Sequence, residues 1–211
     1  MRLLISIFFI FICCTLVYAS SIEKAKLYIN EIKNCYNLYW KEIPLKQIPM
    51  GQIEQESNWN SKAHLHTYRE DGYGLVQITV TPRFNSFLTA KQYKPLKSWN
   101  WKKDPYNTKN QITFLVLQDR DNYNQIKRYF INDEERFKGL LVCYNAGLGR
   151  VLRRRQFAIA ARYKHDTWTH GLEDVHDNFE NKNIYGRPLW KAVNEYPRVI
   201  FKKSEKYKTL F

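Results

Sequence analysis

One carboxyl dominates the chemistry this sequence offers. Glu56 stands near the end of Ile53-Glu54-Gln55-Glu56-Ser57-Asn58-Trp59, a short helix through about Ser57 that Pro49 opens. A carboxylic acid at a helix end against apolar neighbours, here Ile53, Trp59 and Leu75, is penalised when ionised; its pKa rises and it stays protonated near neutral pH. That is what a general acid requires, and the anion left behind serves as a base. Glu54 is not its facing partner, because residues two apart on a helix point to nearly opposite sides. Glu54 reads as a solvated or salt-bridged helix residue.

Two further segments accompany the first: Gly72-Tyr73-Gly74-Leu75-Val76-Gln77-Ile78 and Cys143-Tyr144-Asn145-Ala146-Gly147-Leu148-Gly149-Arg150-Val151. Singly, Glu-Ser or Gly-x-Gly carries little. In this order the three resemble the lytic transglycosylase and goose-type lysozyme family, whose signature runs Glu-Ser, Gly-Leu-Met-Gln, Ala-Tyr-Asn-Ala-Gly. Val76 stands for the Met and Cys143 for the first Ala, both small apolar changes. Asp104-Pro105 resembles that family's entry into a long central helix. The resemblance spans about Ile43 to Arg162.

The resemblance implies a mainly α, lysozyme-like domain with a central cleft for the peptidoglycan glycan strand and at most a small β-element. By position Glu56 matches the catalytic acid and Ser57 the serine beside it. Gln77 matches the cleft glutamine; Tyr144 and Asn145 match residues lining the site. The implied reaction is that of a lytic transglycosylase on the MurNAc-β-1,4-GlcNAc bond. An ordinary glycosidase needs a second carboxylate about 5–9.5 Å from the first. A lytic transglycosylase manages with one: the substrate's N-acetyl group assists, Glu56 turns base, and the muramic 6-hydroxyl closes a 1,6-anhydro ring. Asp71, just before Gly72, is the residue that would shift the outcome toward hydrolysis by activating water, as a carboxylate there is thought to do in goose-type lysozymes; otherwise it is a turn aspartate. An inactive wall-binding or assembly protein is the remaining alternative.

Trp59, Tyr68, Tyr73, Trp99 and Trp101 fall in predicted loops, where flat rings stack on sugars; of the aromatics, Tyr73 and Tyr144 are taken as substrate-binding. Arg150, Arg153, Arg154 and Arg155 read either as a basic patch toward muramyl peptides or as a solvated helix face. His64-x-His66, with His165, His170 and His176, invites a metal. Neither HExxH nor a Cys pair accompanies them, and Glu173, Asp174, Asp177 and Glu180 lack a calcium-loop pattern, so neither a metal nor a cofactor is expected.

The elements that must position these groups read as helices: about Ile22–Tyr39, the short Pro49 helix, Thr81-Pro82 to Tyr93, Asp104-Pro105 through Tyr123, Glu134–Asn145 ended by Gly147, and Gly149 to about Lys164. A loop is predicted from Trp59 to Gly74, a strand or turn over Leu75–Val80, and a last helix over Leu189–Glu195 ended by Pro197.

In 211 residues, with a formal charge of +14, 44% hydrophobic and 16% aromatic content, there is enough apolar area for one real core; disordered, collagen-like and multi-span membrane chains are excluded. Met1-Arg2, apolar Leu3–Val17 and Tyr18-Ala19-Ser20-Ser21 have the order of a secretory signal peptide cleaved after Ala19, with an uncleaved membrane anchor as the alternative. The predicted organisation is a signal peptide over 1–19, a catalytic domain over 20–164 and a C-terminal extension of the same domain over 165–211. Export through the inner membrane to periplasm, envelope or medium follows, and disfavours nucleic acid as the partner of the positive charge. The partners are peptidoglycan strands and, by role, a secretion, conjugation or phage lysis apparatus; the chain is taken as a monomer. Cys35 and Cys143 then either form one disulfide or stay as buried thiols.

Overall fold

The computed structural model describes residues 21–184 and 186–211. The predicted leader lies outside them, with Cys13, Cys14 and Ser20. No helix among the described residues is long and apolar enough to cross a membrane. Helix takes 58% of the chain and strand 7%, so the fold is mainly α with a small β-element.

The first predicted helix comes in two pieces, a helical run over 21–26 and α1 (Ile29–Tyr39), because Leu27 and Tyr28 close tight bonds to Lys24 and Ala25. Pro49 starts α2 (Ile48–Ser57) as expected, and Asn58 and Trp59 end it with φ of 51° and 65°. The segment read as a loop holds two short strands, β1 (His64–His66) and β2 (Asp71–Tyr73). Of the predicted Leu75–Val80 strand only β3 (Ile78–Val80) is extended. The three pair antiparallel in chain order, with His66 opposite Asp71 and Gly72 opposite Thr79. Three-residue strands are too short to show an alternation of apolar and polar residues.

Thr81 folds its own turn, its hydroxyl accepting from Arg83 and Phe84 N–H, so α3 (Ser86–Ala90) starts later, capped by Asn85. Likewise Asn107, not Asp104, caps α4 (Thr108–Ile126) by accepting from Asn110 N–H. Asp104 contributes its carbonyl to the Trp99 indole N–H instead. Asn132 caps α5 (Asp133–Ala146), whose acidic first turn suits the helix dipole. After Gly147 comes α6 (Leu148–Ala160).

Residues 183–184 and 187–188 form a small hairpin, β4 (Asn183–Ile184) and β5 (Arg187–Pro188), leading into α7 (Leu189–Ser204). Pro197 lies buried within α7 rather than ending it. An interior proline costs about 3 kcal/mol. Here packing of α7 against both α2 and α5 offsets it. Helix α5 is the hub: it buries Phe137 and Gly139 to Cys143, and α4, α6 and α7 pack around it.

Two contacts set the position of α7. A Cβ on Gly51 of α2 would stand 2.7 Å from the Ile200 carbonyl, so glycine admits the close approach. The Arg cluster does the rest. Arg154 is fully buried, its guanidinium forked on Glu180 and donating to Asn194 Oδ1 of α7 at 2.7 Å. Arg150 meets Glu180 at 3.2 Å, and Arg153 meets Asp177 at 2.9 Å. Arg154 is thus buried and Arg150 mostly so, while Arg153 keeps its side chain 58% exposed; all three bind the C-terminal segment to α6. Glu135 of α5 adds a further tie, accepting from Trp168 and Thr169 N–H. Cys35 on α1 and Cys143 on α5 are buried free thiols. Burial pushes them up to about 11 and about 12 respectively.

Candidate functional site

Glu56 sits in the last turn of α2 on the floor of a cleft of about 670 Å³. Ser57, Gln77, Tyr144 and Asn145 line the same cleft, so four of the sequence-assigned neighbours of Glu56 converge on it. The cleft continues on both sides. One lobe of about 390 Å³ shares Gln77, Tyr144 and Asn145, and another of about 250 Å³ shares Gln55, Glu56 and Asn145. Glu56 thus lies where two of these three adjoining pockets meet.

The carboxyl of Glu56 is held up to about 7, from an ordinary 4.5, chiefly by burial; the hydrogen bond from Tyr196 and the charge of Lys203 pull it back down. Tyr196 donates its hydroxyl to Glu56 Oε1. The two helices run antiparallel: Gly51 faces Ile200, and about one turn further along, Glu56 faces Tyr196. Beneath lies Asp119 of α4, fully buried, with Gln52 Nε2 at 3.5 Å and Oδ2 without a hydrogen-bond partner among the described residues. Burial holds the Asp119 carboxyl well above the usual range, and the charge of Glu56 pushes it the same way. Burial, more than the charge of Glu56, therefore keeps the proton on Asp119.

The opposite wall is a tight turn over Gly74–Gln77. Gln111 of α4 holds it, donating to Tyr73 and Pro105 carbonyls and accepting from Val76 N–H. Tyr144 donates to the Val76 carbonyl at 2.7 Å, fastening α5 to that turn. Gln77 takes φ of 46° and donates to the Gly74 carbonyl at 3.0 Å. Its amide lies over Gly72, where a Cβ would meet Gln77 Oε1 at 2.5 Å. Ser57 donates back to the Ile53 carbonyl and stabilises the end of α2.

Two of the sequence-assigned residues fall outside the cleft lining. Tyr73 lies outside the cleft lining; its ring stacks on His64 at 4.7 Å and reaches Phe87 and Tyr106. Asp71 also lies outside it, held by His66 Nδ1 at 2.6 Å and His64 Nε2 at 3.2 Å. Those imidazoles, His66 first, hold its carboxyl below the usual range. Leu65, Gly72 and Thr79 present one face of the sheet to the cleft, and Asp71 and Tyr73 lie on the other, from which His64, at the end of β1, still reaches the cleft. The carboxylate of this loop that does line the cleft is Glu70.

The wall predicted from Ile53, Trp59 and Leu75 belongs to the core. Trp59, turned inward by its left-handed backbone, donates to Tyr207, which donates in turn to Glu54. Glu54 is buried rather than solvated, and is paired with Lys206 at 2.7 Å. Trp99 is likewise buried, Trp101 stacks on Phe87, and Tyr68 is exposed.

Sequence reasoning missed Tyr196, Lys203, Gln111 and Asp119. Asp119 alone left a signal, as the one polar intruder on an apolar helix face. Tyr196 tests the electrostatics: Tyr196→Phe removes a donor that favours the anion, so the Glu56 pKa rises further. In a pH profile of kcat/KM the alkaline limb then moves to higher pH; an unmoved limb would separate Tyr196 from Glu56 ionisation. Neither a family model nor a curated protein matches this chain.

Proposed function

We propose that this chain cleaves the β-1,4 bond between N-acetylmuramic acid and N-acetylglucosamine in peptidoglycan, as a lytic transglycosylase acting outside the inner membrane. The observation that carries the reading is a carboxyl raised to about 7 by burial and lining a cleft beside Gln77, Tyr144 and Asn145. A pKa near the working pH suits both halves of the reaction. Protonated Glu56 gives its proton to the leaving glycosidic oxygen as the C1–O bond breaks. Tyr196 and Lys203 then stabilise the carboxylate. That carboxylate takes the proton of the muramic 6-hydroxyl while its oxygen closes on C1, which returns Glu56 to its starting form and yields the 1,6-anhydro product.

A hydrolytic muramidase is the second reading, favoured by the carboxylate of Glu70 on the same cleft. Products of sacculus digestion decide: muropeptides lighter by one water than their reducing counterparts are expected. Reducing ends that diminish in Glu70→Gln would select hydrolysis instead. Intact sacculi with the protein bound would select a wall-binding role.

A further inference from the structure

We propose that the outer face of the β1–β2 hairpin is a binding site for a divalent transition metal ion of the zinc class, with His64, His66 and Asp71 as its three protein ligands. His-x-His on one strand places both imidazoles on the same face, two residues apart. The antiparallel register sets Asp71 directly opposite His66, on that same face. One nitrogen from each ring and one carboxylate oxygen then lie within 4.8 Å of one another. Both rings already converge on a single atom, Asp71 Oδ1, at 2.6 and 3.2 Å. Tetrahedral zinc, with bonds of 2.0–2.2 Å, sets its donors about 3.4 Å apart, so a small outward shift of these side chains admits the ion.

The donor set selects the metal. Two imidazoles and one carboxylate suit zinc, copper or nickel; magnesium and calcium prefer all-oxygen sites. The fourth position opens to solvent, since the His66 side chain is 75% exposed. The His64 ring is already oriented by its stack on Tyr73, at 4.7 Å and 20° between planes. A single linear segment shows only two of the three ligands, because strand pairing supplies the third. His64 also lines the cleft, so the ion would tie β1 to β2 at the lip of the groove.

The site is independent of the proposed reaction and is tested without it. Isothermal titration of the purified protein with Zn²⁺ should give one ion per chain, with no matching heat from Mg²⁺. Co²⁺ should give the intense visible bands of a tetrahedral site. His66→Ala and Asp71→Asn should each weaken Zn²⁺ binding at least about tenfold. Zn²⁺ should raise the melting temperature of the native protein and not of His66→Ala. These side chains lie at an exposed hairpin, and circular dichroism confirms that the variants fold; His165→Ala serves as a control that keeps its affinity. Absence of Zn²⁺ binding, or affinity unchanged in His66→Ala, would overturn the assignment.

Discussion

Under the proposed function, Glu56→Gln is expected to abolish sacculus cleavage while the fold persists and glycan binding is retained. The change keeps the side chain's size and removes the only proton it can exchange. General acid–base catalysis by one group contributes about 10²–10⁴-fold, and here one group acts twice, so the loss lies at the upper end or beyond. The same substitution makes the protein more stable above neutral pH. Folding raises the Glu56 pKa from 4.5 to about 7. Between those values the folded chain holds a proton that the unfolded chain has released, so stability from this group falls as pH rises and is fully lost above about 7. Gln carries no such penalty. At pH 8 the variant should exceed the native protein by on the order of 1–3 kcal/mol, discounted for the half-open cleft, and the two should converge near pH 4. Urea midpoints at both values measure it. Retained turnover in Glu56→Gln would sink the assignment; an advantage of the variant over the native protein no larger at pH 8 than at pH 4 would show that the carboxyl is not buried against its charge.

The second large effect concerns folding. Glu180→Gln should destabilise the chain by about 3–5 kcal/mol, because it leaves the fully buried Arg154 without its countercharge and removes a partner of Arg150. Against a total stability of about 5–15 kcal/mol for a domain, that is enough to deplete the folded state at 37 °C. Cleavage falls with it, since the segment so anchored carries Tyr196 to Glu56. Replacing both charges, as Arg154→Leu with Glu180→Leu, should recover part of the loss; the recovery is incomplete because Arg154 also donates to the Leu172 carbonyl and to Asn194. Denaturant curves of the three proteins supply the comparison. A cost below about 1 kcal/mol for Glu180→Gln would mean that water reaches this pair.

How much of this was legible beforehand differs by element. Helix α5 was read within a residue or so of its ends, since Asn132 and Gly147 are local signals. The starts of α3 and α4 slipped because Thr81 and Asp104 spend their hydrogen-bonding groups on turns, and Asn85 and Asn107 do the capping. Pro197 was misread because a propensity cost is local, whereas the packing that offsets it comes from residues about 50 to 150 positions away.

The site divides along the same line. Glu56, Ser57, Gln77, Tyr144 and Asn145 were legible because a residue's type and its place in a short motif persist whatever the fold. Asp71 and Tyr73 fall one residue step from Gly72, which lines the cleft, and in a strand that step exchanges one face for the other.

The amino-acid order by itself determined the helical periodicity, several of the caps and which carboxyl is the candidate proton donor, since these depend on neighbours within about one turn. Tertiary structure alone decided that this donor is held near pH 7, which of two adjacent carboxylates meets the cleft, and that a buried arginine brings Tyr196 across to it. Desolvation, strand register and ion pairing at a distance all depend on where remote segments come to rest, and no local window contains that.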